Sequence, residues 1–181
     1  GSEMCIRDRN NIIKDLLQLS HMDYKKESWD MSLTDLNSLA KDCISKMILH
    51  ADMKNQRIVD EIPDDKLPVI IDKSKFEQVI INLISNAIKY TNVNGTITVK
   101  TFVKEGKCHI SVTDDGIGIP EKDLPFIFDR FYRVDKGRSR SLGGTGLGLS
   151  ICESIVAEHG GTISVTSIFG EGSIFTVSIP M

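Results

Sequence analysis

Residues 73–92 read KSKFEQVIINLISNAIKYTN, and this stretch sorts its side chains into two faces of one helix. Its apolar residues recur every three or four positions, at Phe76, Val79, Ile80, Leu83, Ala87 and Ile88. Because a helix turns about 100° per residue, these side chains form one stripe that faces a core. The pattern therefore predicts a helix over residues 74–90, buried along one side.

The opposite stripe of this helix is polar. Asn82, Asn86 and Lys89 follow one another at i, i+4 and i+7, which places them within about 60° of each other. Amide oxygens can ligate a hard cation such as Mg²⁺, and a lysine can neutralise phosphate charge. The stripe thus suits a metal-bound polyphosphate, although these residues alone leave a solvated helix face open.

A carboxylate stands at the end of the segment CHISVTD, residues 108–114. Asp114 has the same parity as the apolar residues of this strand, so it faces the core and needs hydrogen-bond donors. It is a candidate acceptor for the amino group of adenine, while Asp115 points the other way. Gly116 and Gly118 in DDGIGIP let the backbone turn and a flat ring approach. A simple strand-ending turn is the alternative.

The stretch GGTGLGLS, residues 143–150, leads into another helical segment. It would present backbone N–H groups at a helix N-terminus, a natural seat for phosphate, through Gly144, Thr145, Gly146, Leu147 and Gly148. No Lys-Ser or Lys-Thr follows, and no buried strand precedes it, so it is neither a P-loop nor a dinucleotide-binding loop. A purely structural turn stays open.

A basic segment rich in Gly and Ser precedes this glycine cluster. Its cations are Arg133, Lys136, Arg138 and Arg140. Such a segment is expected to be mobile and to fold over a polyphosphate as a lid. Four aromatic residues just before it are expected to pack as the hinge of that lid: Phe126, Phe128, Phe131 and Tyr132.

The remaining patterns predict helices over residues 10–27, 33–56 and 147–159, and strands over 57–63 and 67–72. Two hairpins are predicted over 95–116 and 161–180. Helices that alternate irregularly with hairpins favour an α/β sandwich, in which a mixed sheet carries helices on one face.

Composition limits the class of protein. The 181 residues are 40% hydrophobic, which suffices for one domain and an appendage, and the net charge of −3 argues against a nucleic-acid partner. No apolar run is long enough to cross a bilayer, so a soluble fragment is expected. The spacing of the four cysteines fits reduced thiols rather than zinc. Residues 1–9 read as a tag or as uninterpretable.

In their order and spacing, these motifs resemble the catalytic ATP-binding domain of sensor histidine kinases over about residues 30–180. NLISNAIKYT resembles the N box of that family, DDGIGIP its first glycine box, IFDRFYRVD its F box and GGTGLGL its second glycine box. The boxes are similar to those of WalK/VicK- and PhoR-type kinases. The resemblance implies the Bergerat fold, a two-layer α/β sandwich shared with gyrase, Hsp90 and MutL proteins.

The resemblance also implies roles for single residues. Asn86 would hold Mg²⁺ with Asn82 nearby, and Lys89 and Tyr90 would contact the phosphates or the adenosine side of ATP. Asp114 would bind adenine. Arg133 would approach the γ-phosphate, and the glycines at 144, 146 and 148 would admit the triphosphate to the helix end.

By the same resemblance, residues 10–28 are the end of the second helix of a dimerising hairpin, and residues 29–181 are the catalytic domain. The phosphoacceptor-histidine box of that hairpin is absent from the sequence, and the four histidines are expected to be structural: His21, His50, His109 and His159. The implied partners are that hairpin and a response regulator. The implied location is the cytoplasm, with a homodimeric parent anchored in the cell membrane.

The first position of the N box separates two kinds of chemistry. ATPases of this fold place a glutamate there as general base, whereas Asn82 is an amide that cannot take a proton from water. Weak or no ATP hydrolysis is therefore expected, with phosphoryl transfer to a histidine as the reaction. The alternative is an ATP-gated module of the anti-sigma-factor type, which grips a partner and phosphorylates serine.

Overall fold

The computed structural model describes residues 2–23, 28–134 and 145–181. Its helices are α1 (Ser2–Asp23), α2 (Leu36–Asp52), α3 (Lys73–Tyr90) and α4 (Gly148–Glu158), with a short 3₁₀ helix at Leu124–Phe126. The strands are β1 (Met31–Asp35), β2 (Arg57–Glu61), β3 (Pro68–Asp72), β4 (Thr96–Lys104), β5 (Lys107–Asp114), β6 (Thr162–Ile168) and β7 (Gly172–Pro180). Within the described ranges, no helix has the length and apolar character to cross a bilayer.

Five strands form one mixed sheet in the order β2-β4-β5-β7-β6. The β2–β4 pair is parallel and the other pairs are antiparallel, so the predicted mixed sheet and both predicted hairpins are confirmed. The β4–β5 turn has Glu105 and Gly106 at φ 53° and 71°. Positive φ at both central residues gives the two-residue hairpin turn that matches strand twist.

Helices cover one face of this sheet, as the sequence predicts. The buried core joins apolar residues of α2, α3 and α4 to inward-facing residues of the central strands, among them Ile97, Val99, Ile110, Val112 and Val177. Alternate residues of the same strands carry hydroxyl groups and are only half-buried on the other face, including Thr98, Thr113 and Thr176. The strand period of two therefore separates an apolar face from a polar one.

Strand β1 is missing from the sequence-based prediction, which continued the second helix back to residue 33. Met31–Asp35 instead pairs antiparallel with β3 in a separate two-stranded sheet. Helix α2 begins at Leu36 because the Asp35 carboxylate accepts the Asn37 N–H at 3.1 Å. The cap therefore sets the start of α2 at Leu36, although the apolar pattern of a helix begins at residue 33.

Helix α1 also differs from its predicted bounds of 10–27: it covers Ser2–Asp23, and residues 2–9 are its exposed first turns. Leu19 and Met22 are buried on the side of α1 that faces α4. Gln18 and the Gln78 side chain of α3 exchange two hydrogen bonds of 2.8 and 2.9 Å. Helix α1 thus packs on the rest of the molecule through Gln18, Leu19 and Met22, while Ile13, Leu16 and Leu17 are exposed.

Candidate functional site

Asp114 ends strand β5 in the interior, with 8% of its surface exposed, as its parity predicts. Its carboxylate accepts the Gly116 N–H at 2.9 Å and the Ser173 N–H. Burial raises the pKa of Asp114, and the neighbouring Asp115 charge adds to this, while the two N–H donors oppose it. Asp115 is exposed and accepts the Thr96 N–H at 2.9 Å.

The loop after β5 is packed too closely for side chains. A Cβ on Gly116 would lie 2.3 Å from the Tyr90 carbonyl oxygen, and one on Gly118 would lie 2.2 Å from that of Ile168. Gly118 also has φ 68°, where other residues are strained. The Ile117 N–H donates to Tyr90 O at 3.1 Å. Both glycines are therefore explained by backbone contacts alone, whatever ligand approaches.

The polar stripe of α3 lies at the edge of the core, and Asn82, Asn86 and Lys89 are each half-buried. The Asn82 amide faces α4, where Nδ2 donates to Cys152 Sγ at 3.7 Å. Burial lowers the pKa of Lys89, and the charge of Arg133 lowers it further. Lys89 Nζ lies 5.5 Å from the Tyr90 ring centroid.

Arg133 is the one cation of the predicted lid that lies in the described residues, and its charge reaches both Lys89 and Tyr90. It therefore sits beside the end of the polar stripe on α3. The other predicted lid cations, Lys136, Arg138 and Arg140, lie outside the described part of the chain.

The aromatic residues before the lid divide into two kinds. Phe128 and Tyr132 pack against the core, and the Tyr132 hydroxyl donates to the buried Asp123 carboxylate. Phe126 and Phe131 are about half exposed, at 47% and 53%. Phe126 nevertheless contacts the Tyr132 ring, with 5.7 Å between the centroids, so the predicted packing is confirmed for three of the four residues. Phe131 is more exposed than predicted, and the hinge role stays a prediction.

The start of α4 is an open backbone surface. Thr145 Oγ1 accepts the Leu147 N–H at 3.1 Å and donates to Asp15 Oδ2 of α1 at 2.9 Å. Gly146, at φ 73°, accepts the Phe131 N–H at 2.9 Å. A Cβ on Gly148 would meet no atom within 4 Å. This last glycine is thus free of any structural demand in the described protein. Gly144 lies outside the described residues.

Sequence reasoning missed two serines that support Asp114. Ser173 pairs with Asp114 across the β5–β7 ladder and is buried, and its hydroxyl lies 2.8 Å from Ser167 Oγ. Ser167 Oγ accepts the Ile119 N–H at 2.8 Å and donates to Gly172 O at 2.9 Å. The available signal was the segment GEGS, residues 170–173, since glycines just before a strand indicate close backbone contact.

The residues present fit a nucleotide whose metal ion is held largely by its own phosphates. In the described ranges, no three His, Cys, Asp or Glu side chains come together as a metal site. A hard divalent cation would therefore rely on the Asn86 amide oxygen and on ligand oxygens, which is the way Mg²⁺ commonly binds with nucleotides. The space at Gly148, which no described atom occupies, would admit a phosphate, and Asp114 would offer an acceptor to a base.

The family described as histidine kinase-, DNA gyrase B- and HSP90-like ATPase matches residues 71–181. This chain belongs to that family. It is 42% identical over 171 residues to the sensor histidine kinase WalK of Bacillus subtilis strain 168, covering 93% of this chain and 28% of the relative. The histidine-protein kinase ArlS of Staphylococcus aureus strain USA300 is 40% identical over 176 residues, with coverages of 95% and 38%. The chain thus spans about a third of the length of these relatives.

Solved structures of histidine kinases share the fold. The catalytic domain of histidine kinase ThkA aligns at TM-score 0.73 and 32% identity, over 83% of this chain and 95% of that one. The Acinetobacter baumannii histidine kinase AdeS aligns at TM-score 0.75 and 26% identity, over 93% and 76%. The expected Bergerat-type sandwich of an ATP-binding histidine kinase domain is therefore confirmed.

Proposed function

We propose that this chain binds ATP with Mg²⁺ and donates its γ-phosphoryl group to a histidine on a separate helical hairpin. The observation that carries the proposal is Asp114, a buried carboxylate with two backbone N–H donors. Burying a carboxylate costs free energy that hydrogen-bond donors offset, so Asp114 is suited to accept a further donor from a ligand. The adenine amino group would be that donor.

The other site residues would act on the phosphates. Asn86 would ligate Mg²⁺, and Lys89, Arg133 and the start of α4 would bind the negative oxygens. Asn82 donates through its amide to Cys152 and has no basic atom with which to activate water. The bound ATP would therefore be protected from hydrolysis until a histidine nucleophile attacks in line.

Binding of a non-hydrolysable ATP analogue, with and without Mg²⁺, tests the site. We expect Asp114→Asn to lose affinity by about tenfold or more, since an amide NH₂ would face the adenine amino group. Asp115→Asn is the matched control, because the Asp115 side chain is exposed and accepts the Thr96 N–H. Equal loss in both variants, or none in Asp114→Asn, would reject the adenine role.

The metal role is tested in the same assay by Asn86→Ala. We expect the gain in affinity on adding Mg²⁺ to shrink, because a ligand of the cation is removed. Asn92→Ala, at an exposed position just after α3, is the matched control. An unchanged Mg²⁺ effect in Asn86→Ala would assign the cation to other ligands.

The reaction is tested by phosphoryl transfer in trans. The chain is mixed with labelled ATP and a dimerising hairpin that carries an acceptor histidine, and acid-labile phosphohistidine is measured. We expect transfer to the hairpin and little release of phosphate without it. Rapid hydrolysis by the chain alone, abolished by changing Asn82, would contradict the proposal. The anti-sigma-factor alternative predicts serine labelling instead, and the histidine kinases among the relatives do not favour it.

For the whole protein, we propose a homodimeric sensor kinase that passes the phosphoryl group to a response regulator. Its catalytic part would work in the cytoplasm, with the parent chain anchored in the cell membrane. Residues 10–28 would belong to the dimerising hairpin and residues 29–181 to the catalytic domain. The support is the sequence identity of 40–42% to histidine kinases, in alignments that cover 93–95% of this chain.

A further inference from the structure

The C-terminal end of α3 is bound by a lysine from another part of the chain. A helix leaves its last carbonyl groups without partners inside the helix. Lys54 Nζ lies 2.7 Å from Ile88 O, 3.2 Å from Lys89 O and 2.7 Å from Thr91 O. An ammonium group has three hydrogens to donate. Lys54 thus has one carbonyl acceptor at the end of this helix for each of its three N–H hydrogens.

Gln56 supplements the lysine from the same turn. It is buried, and its Nε2 donates to Ile88 O at 2.9 Å and to Thr91 O at 2.8 Å. The Thr91 N–H closes the helix on Ala87 O at 3.0 Å. The carbonyl groups of Ile88 and Thr91 therefore each accept from two side chains that lie more than 30 residues away in sequence.

This helix end borders the candidate nucleotide site. Lys89 and Tyr90 form its last turn, and the Tyr90 carbonyl accepts the Ile117 N–H of the loop after β5. The same carbonyl lies where a Cβ on Gly116 would clash. A shift of the α3 end would therefore move the phosphate-binding lysine and the adenine loop together.

The turn after α2 aims Lys54 and Gln56 at their targets. The Gln56 N–H donates to Ala51 O at 3.0 Å and the Asn55 N–H to Asp52 O at 2.9 Å. Asn55 has φ 51°. These are the two hydrogen bonds and the left-handed residue of a Schellman motif, which fixes the direction of the chain as it leaves a helix. The hydrogen bonds of this turn therefore fix the backbone position from which the Lys54 side chain reaches α3.

Electrostatics favours this arrangement. The C-terminus of a helix carries partial negative charge, so a cation there is stabilising. Burial lowers the pKa of Lys54, because the half-buried ammonium is surrounded by carbonyl oxygens in place of part of its water shell. Lys41, on the surface of α2, instead forms an exposed ion pair with Asp64 at 2.6 Å.

From these contacts we infer that Lys54 is a positioning residue for nucleotide binding. It acts through the main chain at residues 88–91, where it holds Lys89 and Tyr90 in place and, through Tyr90 O, the loop at 116–117. It does not itself act on ATP. The inference rests on the proposed nucleotide site and adds to it a residue from outside the motif stretches.

The first test compares Lys54→Ala with Lys41→Ala, which removes the same charge from a position on the surface of α2, away from the end of α3. Two quantities are measured in each: the affinity for a non-hydrolysable ATP analogue with Mg²⁺, and the amide hydrogen exchange of Ile117. We expect Lys54→Ala to lose about tenfold in affinity and to exchange faster at Ile117 without nucleotide. We expect Lys41→Ala to match the wild type in both.

Chemical rescue separates positioning from general loss of stability. Propylammonium carries the three carbons and the nitrogen that Lys54→Ala removes, and it can occupy the vacated space beside the carbonyl groups. We expect it to restore affinity and Ile117 protection in Lys54→Ala. Lys54→Met fills the space with an uncharged chain, so it should lose affinity without responding to the amine. This variant also carries the comparison if Lys54→Ala does not fold.

The outcomes are distinguishable. A wild-type chain that binds no analogue would reject the proposed function. Wild-type binding with unchanged affinity in Lys54→Ala and Lys54→Met would reject the positioning role alone. Lower stability with normal affinity would make Lys54 a structural cap only. Equal loss of affinity in Lys54→Met and Lys41→Ala would show an effect of net charge alone and would also reject the positioning role.

Discussion

Asp114 places binding and stability in opposition. Its pKa is raised, so the folded chain binds a proton more tightly there than the unfolded chain. The contribution of Asp114 to the free energy of unfolding is therefore greatest below the ordinary aspartate pKa, and it is lost as pH rises through the raised value. We expect Asp114→Asn to melt at a higher temperature than the wild type at neutral pH, and the difference to vanish in acid. Equal melting temperatures at neutral pH would contradict the raised pKa.

Gly148 offers the same contrast without a charge. Alanine is a better helix former, and its Cβ would meet nothing in the described protein. We expect Gly148→Ala to be up to about 1 kcal/mol more stable to urea, yet to bind the ATP analogue more weakly because the methyl group occupies phosphate space. Gly116→Ala should lower both the stability and the affinity for the analogue, because its Cβ would clash with Tyr90 O. Unchanged affinity in Gly148→Ala would place the phosphates elsewhere.

At the scale of elements, His159 joins the ends of two helices. At the end of α4, its Nδ1–H donates to Ile155 O at 2.7 Å, and Nε2 accepts the N–H of Asp72, the N-cap of α3, at 3.0 Å. The ring is buried against Trp29 and Phe76. The expectation that this histidine is structural is confirmed.

We expect His159→Ala to lower the free energy of unfolding by about 2–4 kcal/mol, through a cavity and two broken hydrogen bonds. Urea denaturation measures this. The exposed His50, in the last turn of α2, gives the control His50→Ala, which should change stability by less than about 0.5 kcal/mol. Similar values for the two variants would refute the joining role.

Helix α1 is held on the molecule more by apolar burial than by charge. Leu19 is fully buried. Arg130 Nη2 donates to both carboxylate oxygens of Asp23, at 2.8 and 2.9 Å, and both of these side chains are about half exposed. Such exposed pairs contribute about 0–1 kcal/mol. We expect Leu19→Ala to speed amide exchange along α1 far more than Arg130→Ala does. Leu17→Ala, at an exposed position on the same helix, should have little effect.

At the scale of the whole molecule, cysteine reactivity reports the integrity of the core. Cys43, Cys108 and Cys152 are buried and Cys5 is exposed. Burial raises the pKa of Cys43 and Cys152 to about 12, so almost no thiolate is present at neutral pH. We expect one thiol to react rapidly with a colorimetric disulfide reagent. The other three should react only as the chain unfolds in urea, and rapid reaction of all four in the native protein would contradict this core.

Patterns with a strict period predicted most of this fold. The apolar stripe of α3 and the alternation of β4 to β7 are local signals, and each is found where the sequence predicts it, whereas α2 covers Leu36–Asp52 instead of the predicted 33–56. The pairing of β1 with β3 was not predicted, because five residues such as MSLTD show no period and gain their partner only from the tertiary fold. Ser173 was missed for the same reason, since only the sheet register brings it to Asp114. Lys54 and Gln56 contact the end of α3 although β2, β3 and their loops lie between them in the chain, and no spacing in the sequence reveals that contact.

The position of β7 bears on how the protein is made. This strand follows all the other described elements in the chain, yet it lies between β5 and β6 inside the sheet. Until residues 172–180 have left the ribosome, β5 and β6 lack their common neighbour, and Asp114 lacks the Ser173 N–H. In a nascent chain the proposed adenine acceptor is therefore complete only after β7 emerges, so bound ATP would stabilise only chains in which β7 has joined the sheet.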